Sequence, residues 1–531
     1  MKKRKIYVSA LALLCVGALF AQNEMDAFRF SHLDLNGSAR SMSMGGAFGA
    51  LGGDMSAMSH NPAGIGVYRS SEVQATLDLN MANMDATWMG INSDKNRTKF
   101  GFTNFSYVGY FPTGRDQGTK SWNIGISYNK AKDFNREYRI TGSPQSSLAD
   151  YVASRATNAF GEKGGITLNE FTNDPYFNNE LVGNWLPVIG YRGGLIEPKS
   201  DAGNNDIYYS AFGKAPNETT LRVSEKGSIS EYNFSLSTNI SDRVFVGATF
   251  GVTDIDYRMS SSHDESFGGK DYLYLDNSIE TEGTGYSFNI GVIARPWDIL
   301  RVGVAYNSPK WYRMTDYYYA EAGSYLSADP DPEFDDYTPE GSYSEYKLRT
   351  PDRWIFSAAG IIGTSALISL DYELTNYRSM RLSDRDGNEY NTNTYIKEDF
   401  KPGHTVKIGA EYKVTPQFAV RAGYIWQPSP MEKNLTSSNR DELVEVLPSG
   451  TIPHYTVLNT TNHYTFGLGY RFTPNFYMDL ACIYRVQNEK LYPYSNTFWN
   501  YPEDGISPVV SDPAKVSAKT TRLALTFGYK F

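Results

Sequence analysis

Strict two-residue alternation dominates the chain. Between residues 72 and 81, Val73, Ala75, Leu77, Leu79 and Met81 share one face, while Glu72, Gln74, Thr76, Asp78 and Asn80 share the other. Period two is that of a β-strand with one greasy and one wet side. The pattern then returns in pairs across short turns. Residues 232–240 pass through Ser241-Asp242 into Val244, Val246, Ala248, Phe250 and Val252. The same arrangement recurs around Arg295-Pro296-Trp297-Asp298, Gly363-Thr364-Ser365, Thr415-Pro416 and Thr473-Pro474. Tight connections of this kind make antiparallel hairpins, and proline is harmless in their turns.

Fourteen such segments are predicted, near residues 72–81, 100–111, 121–129, 229–240, 243–253, 285–294, 299–307, 353–362, 366–375, 404–414, 417–426, 462–472, 475–486 and 521–531. Residues 137–140 are a further short candidate. The segments between turns, 254–284, 308–352, 376–403, 427–461 and 487–520, read as long loops, and 130–228 is the longest. Short turns at one end and long loops at the other suit a transmembrane barrel with periplasmic turns and extracellular loops. A soluble β-sandwich is the competing fold, but it has no reason to lengthen loops at one end only.

The amino terminus adds a destination. Basic Met1-Lys2-Lys3-Arg4-Lys5 precedes an apolar run from Ile6 to Ala21, the pattern of a secretory signal peptide cleaved before Gln22. Cys15 sits inside the apolar run behind Leu14, which argues against a lipid anchor. Its removal takes four basic residues from 50, leaving 46 against 59 acidic ones, a net charge of −13 that disfavours nucleic acid as a partner. Cys482 then stands alone, so no internal disulfide forms. With 40 Tyr, 28 Phe, 47 Gly and a mean hydropathy of −0.45, the chain is too polar for a helical membrane protein. A closed barrel reconciles polarity with membrane residence. Leu523, Leu525, Phe527, Tyr529 and the terminal Phe531 share one face. This ending resembles the signal by which outer-membrane barrels are recognised for assembly, and Phe527, Tyr529 and Phe531 are its expected elements.

Residues 22–70 break the alternation and are dense in small residues, expected to form a compact N-terminal hatch ahead of a barrel spanning 71–531. Gly45, Gly46 and Phe48 lie in the glycine-rich part, and Asn61-Pro62-Ala63-Gly64 hands the chain to the first strand. Phe28, Phe30, Met42, Met44, Met55 and Met58 offer adaptable apolar surface, either for a ligand or for packing the hatch against the wall. Lumen-phase cations such as Lys407, Arg421, Arg471 and Arg522 are available to a carboxylate, or to acids such as Glu411 and Asp479.

Gly45-Gly46-Ala47-Phe48, Asp54 and Asn61-Pro62-Ala63-Gly64, followed by a barrel, resemble the FadL/TodX/OmpP1 outer-membrane transporters most closely over residues 37–66. Ser369-Leu370-Asp371-Tyr372-Glu373 and the last strand also look similar. The resemblance implies an all-β transmembrane barrel of about fourteen strands, its lumen plugged by the N-terminal hatch. Long-chain fatty acids or small aromatics would enter from outside, bind in the lumen and leave when hatch or wall opens. Asn61, Pro62, Ala63 and Gly64 would tie the hatch to the wall, or would be a structural turn only.

The expected protein is therefore a monomeric outer-membrane transporter for hydrophobic solutes, without cofactor or metal and not an enzyme. Its expected partners are outer-membrane lipids, lipopolysaccharide and the barrel-assembly machinery. The histidines, His32, His60, His263, His404, His454 and His463, are scattered, and no catalytic motif stands out. Two alternatives remain open: haemin uptake, with His32 and His60 on the hatch and the loop histidines as candidate axial ligands, and a docking role in a secretion or surface-attachment system.

Overall fold

A computed structural model describes residues 22–181, 183–436, 446–501 and 505–531; the expected signal peptide, 1–21, lies outside the described residues. The wall strands are β1 Glu72–Trp88, β2 Ile91–Pro112, β3 Thr119–Asp133, β4 Glu218–Ile240, β5 Val244–Gly268, β6 Asp271–Trp297, β7 Leu300–Asn307, β8 Arg353–Ile362, β9 Ala366–Thr375, β10 Gly403–Lys413, β11 Phe418–Gln427, β12 Tyr455–Arg471, β13 Phe476–Tyr492 and β14 Ala514–Lys530. Each pairs antiparallel with its neighbours in the wall, and β14 pairs with β1 from Thr87↔Lys515 down to Glu72↔Lys530. The sheet thus closes into a fourteen-stranded cylinder with no free edge, which satisfies every wall ladder in a medium that offers no water. Each of the fourteen expected segments overlaps one of these strands, overrunning it by at most one residue at an end. Residues 137–140 belong to a short strand, Arg136–Gly142, that pairs with the upper part of β4 beyond the stretch paired with β3.

The lipid-facing side follows from the alternation. On β5, Val246, Phe250 and Val252 are exposed while Gly247, Thr249 and Gly251 face inward, and Tyr286, Phe288, Ile290 and Val292 continue the exposed belt on β6. The β4–β5 turn places Ser241 and Asp242 both at φ 55°, the left-handed geometry that suits a tight hairpin, and Asn239 braces it through Asp242. Phe531 closes the molecule at this same end, its amide bonded to the Ser71 carbonyl and its ring 6.3 Å from Tyr107.

The structure corrects the expectation of a loop at 254–284. β5 and β6 run on as one hairpin to Gly268 and Asp271. Above residue 253 the alternation changes phase: Ile255, Tyr257 and Met259 now point inward and are buried, while Asp254, Asp256 and Arg258 face out. The strand has left lipid for water, so its greasy residues turn to the interior. Residues 311–325 pair with β6 as a further strand, burying Tyr312 and Met314 and exposing Tyr317 and Tyr319.

The 130–228 segment is not a bare loop either. It carries three helices, Leu148–Thr157, Leu168–Thr172 and Trp185–Arg192, around a core of Tyr151, Phe171, Leu186 and Tyr208. That unit packs on the inward Leu273, Leu275, Ala320 and Ala322, roofing the extracellular end. Among the described residues, no helix is long and apolar enough to cross a membrane; the strands do so.

Depth should govern mutational sensitivity. Phe250→Arg, in mid-belt, is expected to destabilise the barrel by about 2–4 kcal/mol. Arg258→Ala, removing an exposed pair with Glu280 above the belt, should leave stability nearly unchanged. Urea unfolding in lipid micelles measures both, and equal effects would contradict the assigned belt.

Candidate functional site: a plug seated on glycines

Residues 22–70 pack inside the barrel wall. The chain starts near the extracellular end, where α1 (Glu24–Ser31) is capped by Asn23, whose Oδ1 accepts the amides of Met25 and Asp26 at 2.9 and 3.0 Å. It descends to α2 (Ala39–Ser43), capped by Ser38, then to α3 (Ala57–His60) and the 3₁₀ turn Pro62–Val67 beside the periplasmic turns.

Seven inward wall glycines meet this plug: Gly125, Gly247, Gly291, Gly303, Gly409, Gly423 and Gly467. A Cβ at any of them would lie within 3.0 Å of a plug atom: Met58 at Gly125, the Pro62 carbonyl at Gly247, Asn61 at Gly291, the Gly49 carbonyl at Gly303, Met44 at Gly409 and Gly423, and Ser43 at Gly467. Gly247 lies opposite Gly291 and Gly409 opposite Gly423, so each pair forms a flat patch two strands wide. Only a residue without a side chain admits another backbone so closely.

Hydrogen bonds fix the plug at these patches. Asn61 Nδ2 donates to the carbonyls of Gly49 at 2.6 Å and Val292 at 3.3 Å, while its Oδ1 accepts the Ala63 amide at 3.2 Å. One side chain therefore joins the glycine-rich turn, the Asn-Pro-Ala turn and the wall. The Gly49 amide donates to Asp371 at 2.9 Å, the Ala39 amide to Thr526 at 2.8 Å, and Thr465 to the Ser43 carbonyl at 2.9 Å. Gly45 sits against Gly423, and Gly64 against Ala57 and Gly52.

A charged chain crosses the same seam. Arg40 of the plug grips Glu411 with Nε at 3.0 Å and Nη2 at 3.3 Å; Glu411 also accepts Arg421 at 2.6 Å, and Arg421 reaches Asp479 at 2.6 Å. Arg421 is thus occupied by wall acids. Arg471 is exposed at the rim by the periplasmic turn, and Arg522 is paired with Asp78. Phe28, Met42, Met44, Phe48, Met55 and Met58 are buried in packing, with Arg40 lying 5.4 Å over the Phe48 ring.

Between the plug and the wall lies a cavity of about 130 Å³. Phe30, Leu33, Leu35, Ile425 and Tyr377 give it one greasy side; Lys310, Arg353, Lys407 and Arg485 give it cations. Each cation meets an acid: Lys310 pairs with Glu231, Lys407 with Glu373 at 2.5 Å, Arg353 with Glu373 at 3.8 Å, and Arg485 with Asp34 at 2.8 Å. His32, His60 and His463 also line it, and His463 Nδ1 is buried without a hydrogen-bond partner. Burial, together with Lys407 and Arg353, pushes His60 down to about 4, and burial with Lys132 pushes His32 down to about 3. Both are neutral at pH 7. Sequence reasoning found Lys407 and these histidines but missed Arg353, Glu373 and Asp34, whose convergence depends on tertiary register. Among the described residues, no group of His, Cys, Asp or Glu is placed to hold a metal ion.

Two outcomes follow from this geometry. Gly423→Leu should unseat the plug while leaving the heat-modifiable barrel intact, making cells sensitive to bulky antibiotics that the outer membrane excludes; unchanged exclusion would contradict close seating. Because the docked histidines refuse protons that the released plug takes up, docking is undiminished above pH 6.5 and weakens as pH falls from about 6.5 toward 4. Ion conductance in planar bilayers should therefore rise over that window, and His32→Asn with His60→Asn should flatten the rise.

The comparisons agree with this architecture. The family model described as outer membrane protein transport protein (OMPP1/FadL/TodX) matches residues 223–531, a span that begins after the Asn-Pro-Ala turn. A Pseudomonas aeruginosa FadL homologue is 12% identical with a TM-score of 0.50, the match covering 94% of this chain and 100% of that one. The P. putida toluene transporter TodX gives 12% identity, coverage of 94% and 99%, and a TM-score of 0.50. The deltaS2 mutant of the TodX monoaromatic hydrocarbon channel gives 12%, 93% and 98%, and 0.51. At such identity these structures speak to the fold alone. No curated protein matches the sequence significantly. The matched family model spans more than half of the chain and includes ten complete wall strands, and the chain belongs to the OMPP1/FadL/TodX family of outer-membrane transport proteins.

Proposed function

We propose that this barrel takes up amphipathic molecules, a greasy body with an anionic head, rather than plain hydrocarbons. The observation that carries this reading is the cavity between plug and wall, whose lining combines Phe30, Leu33 and Tyr377 with Lys407, Arg353 and Lys310. A solute able to enter must exchange hydrogen bonds with those cations; a neutral aromatic would leave the paired charges unsolvated and gain nothing for it. At about 130 Å³ the cavity suits a head group, and the packed apolar cluster around Phe28, Tyr257 and Phe400 would have to part to admit the tail. Long-chain fatty acids fit this description best, ahead of the toluene named for TodX.

Haemin uptake has the lining histidines in its favour. Its ring is drug-sized, however, and such ligands occupy roughly 300–1,000 Å³, which this cavity does not offer. The docking alternative draws on the folded roof at 143–217 but has no contact that selects a partner.

The test is binding of oleate and of a neutral aromatic to the purified barrel. Lys407→Gln combined with Glu373→Gln removes the pair without stranding a charge, and oleate should then bind about tenfold more weakly, with aromatic binding unchanged. Stronger binding of the aromatic than of oleate would reverse the assignment. A haemin Soret shift abolished by His60→Ala would favour the porphyrin.

A further inference from the structure

The signal-peptide pattern makes Gln22 the first residue of the mature protein. Gln22 is 3% exposed, deep in the extracellular half of the lumen. Its Nε2 donates to Asp316 at 3.0 Å. Asp316 is itself 3% exposed and accepts Thr281 at 2.6 Å and the Tyr346 hydroxyl at 3.3 Å. Among the described residues, the donors that reach it are the neutral groups of Gln22, Thr281 and Tyr346.

We propose that removal of residues 1–21 frees an α-ammonium at Gln22 that is received by Asp316, with Asp26 beside it, so that processing completes the seat of the plug's first helix. Hydrolysis of the Ala21–Gln22 bond by a signal peptidase consumes one water. The acyl carbon becomes the Ala21 carboxylate, and the departing amine takes the released proton to become an ammonium. A peptide nitrogen is neutral; an α-amine, with an ordinary pKa of about 7.7–8.0, is cationic at pH 7. The cation thus arises within one side chain's length of the carboxylate that lacks one.

The position is held firmly. The Asn23 amide donates to Asp26 Oδ2 at 3.2 Å, Asn23 Nδ2 to the Leu447 carbonyl at 2.8 Å, and Ser449 Oγ to Asp26 Oδ2 at 2.7 Å. Arg29 already pairs with Asp26 at 2.5 Å, which leaves Asp316 as the acid in need. Asp316 lies above the lipid belt, and burial, with Asp26 adding repulsion, pushes it up to about 6. A cation at Gln22 relieves that cost. The Asp316 pocket is fixed by the wall, so the seat exists before the cation arrives. This inference is independent of which solute the barrel carries.

The experiment uses mature protein purified from outer membranes. Its intact mass should correspond to a chain starting at Gln22 with a free amine, and an α-amine-selective acylating reagent should label it about tenfold or more slowly than the heat-denatured protein. Asp316→Asn should restore most of the lost reactivity. Should that variant fail to assemble, the pH dependence of wild-type labelling still decides, since pairing with a carboxylate must raise the apparent amine pKa above its ordinary value. Native labelling as fast as denatured, a mature start elsewhere, a mass lower by one ammonia from cyclisation of Gln22, or an apparent pKa at or below the ordinary value would each overturn the proposal.

Discussion

Backbone-to-backbone contact between plug and wall is the constraint from which the rest of this molecule follows. The fourteen-stranded wall holds a plug inside it, and it lacks side chains where the plug backbone touches it, as at Gly247, Gly291, Gly409 and Gly423. Contact at that distance excludes water, so each polar group at the seam needs a protein partner. Asn61, Asp371, Thr465 and Thr526 meet that need, and Arg40 with Glu411 sets the plug's rotation by a two-pronged pair. Neither the glycines nor the polar groups would suffice alone. Glycines give proximity without direction; hydrogen bonds give direction only at that proximity.

The wall was legible in the sequence because lipid and water impose opposite demands on successive residues. Val246, Phe250 and Val252 announce a lipid face as plainly as Gly247, Thr249 and Gly251 announce a lumen face. The extension of β5 and β6 was hidden by that same logic. Where the strand leaves the membrane its apolar phase flips, from even positions up to Val252 to odd positions from Ile255, so a period-two reading meets a break and reports a loop. The break marks the membrane boundary, not the end of the strand. The roof at 143–217 escaped for another reason: its helices are short, and tertiary packing around Tyr151 and Tyr208 stabilises them more than any local signal.

The plug was legible as a segment but not as an interface. Small residues at 37–53 and Asn61-Pro62-Ala63 stood out, whereas Gly291 and Gly467 read as ordinary strand glycines, since the register that brings them to Asn61 and Ser43 is set by the whole barrel. The apolar residues Met42, Met44 and Met58 could be ranked as greasy but not assigned between ligand and packing. Their full burial places them against the wall. The cations told a similar story: Arg421 and Lys407 share a strand phase, yet Arg421 is consumed by Glu411 and Asp479 in the seam, and Lys407 faces the cavity.

The most direct measurement of this account is amide hydrogen exchange of the native protein in outer-membrane vesicles, read over residues 37–66. A plug seated on wall glycines predicts protection of these amides comparable to that of the neighbouring strands β5, β10 and β11. Exchange as fast as in an exposed loop, with the wall strands still protected, would show the plug to be unseated at rest and would contradict the central claim.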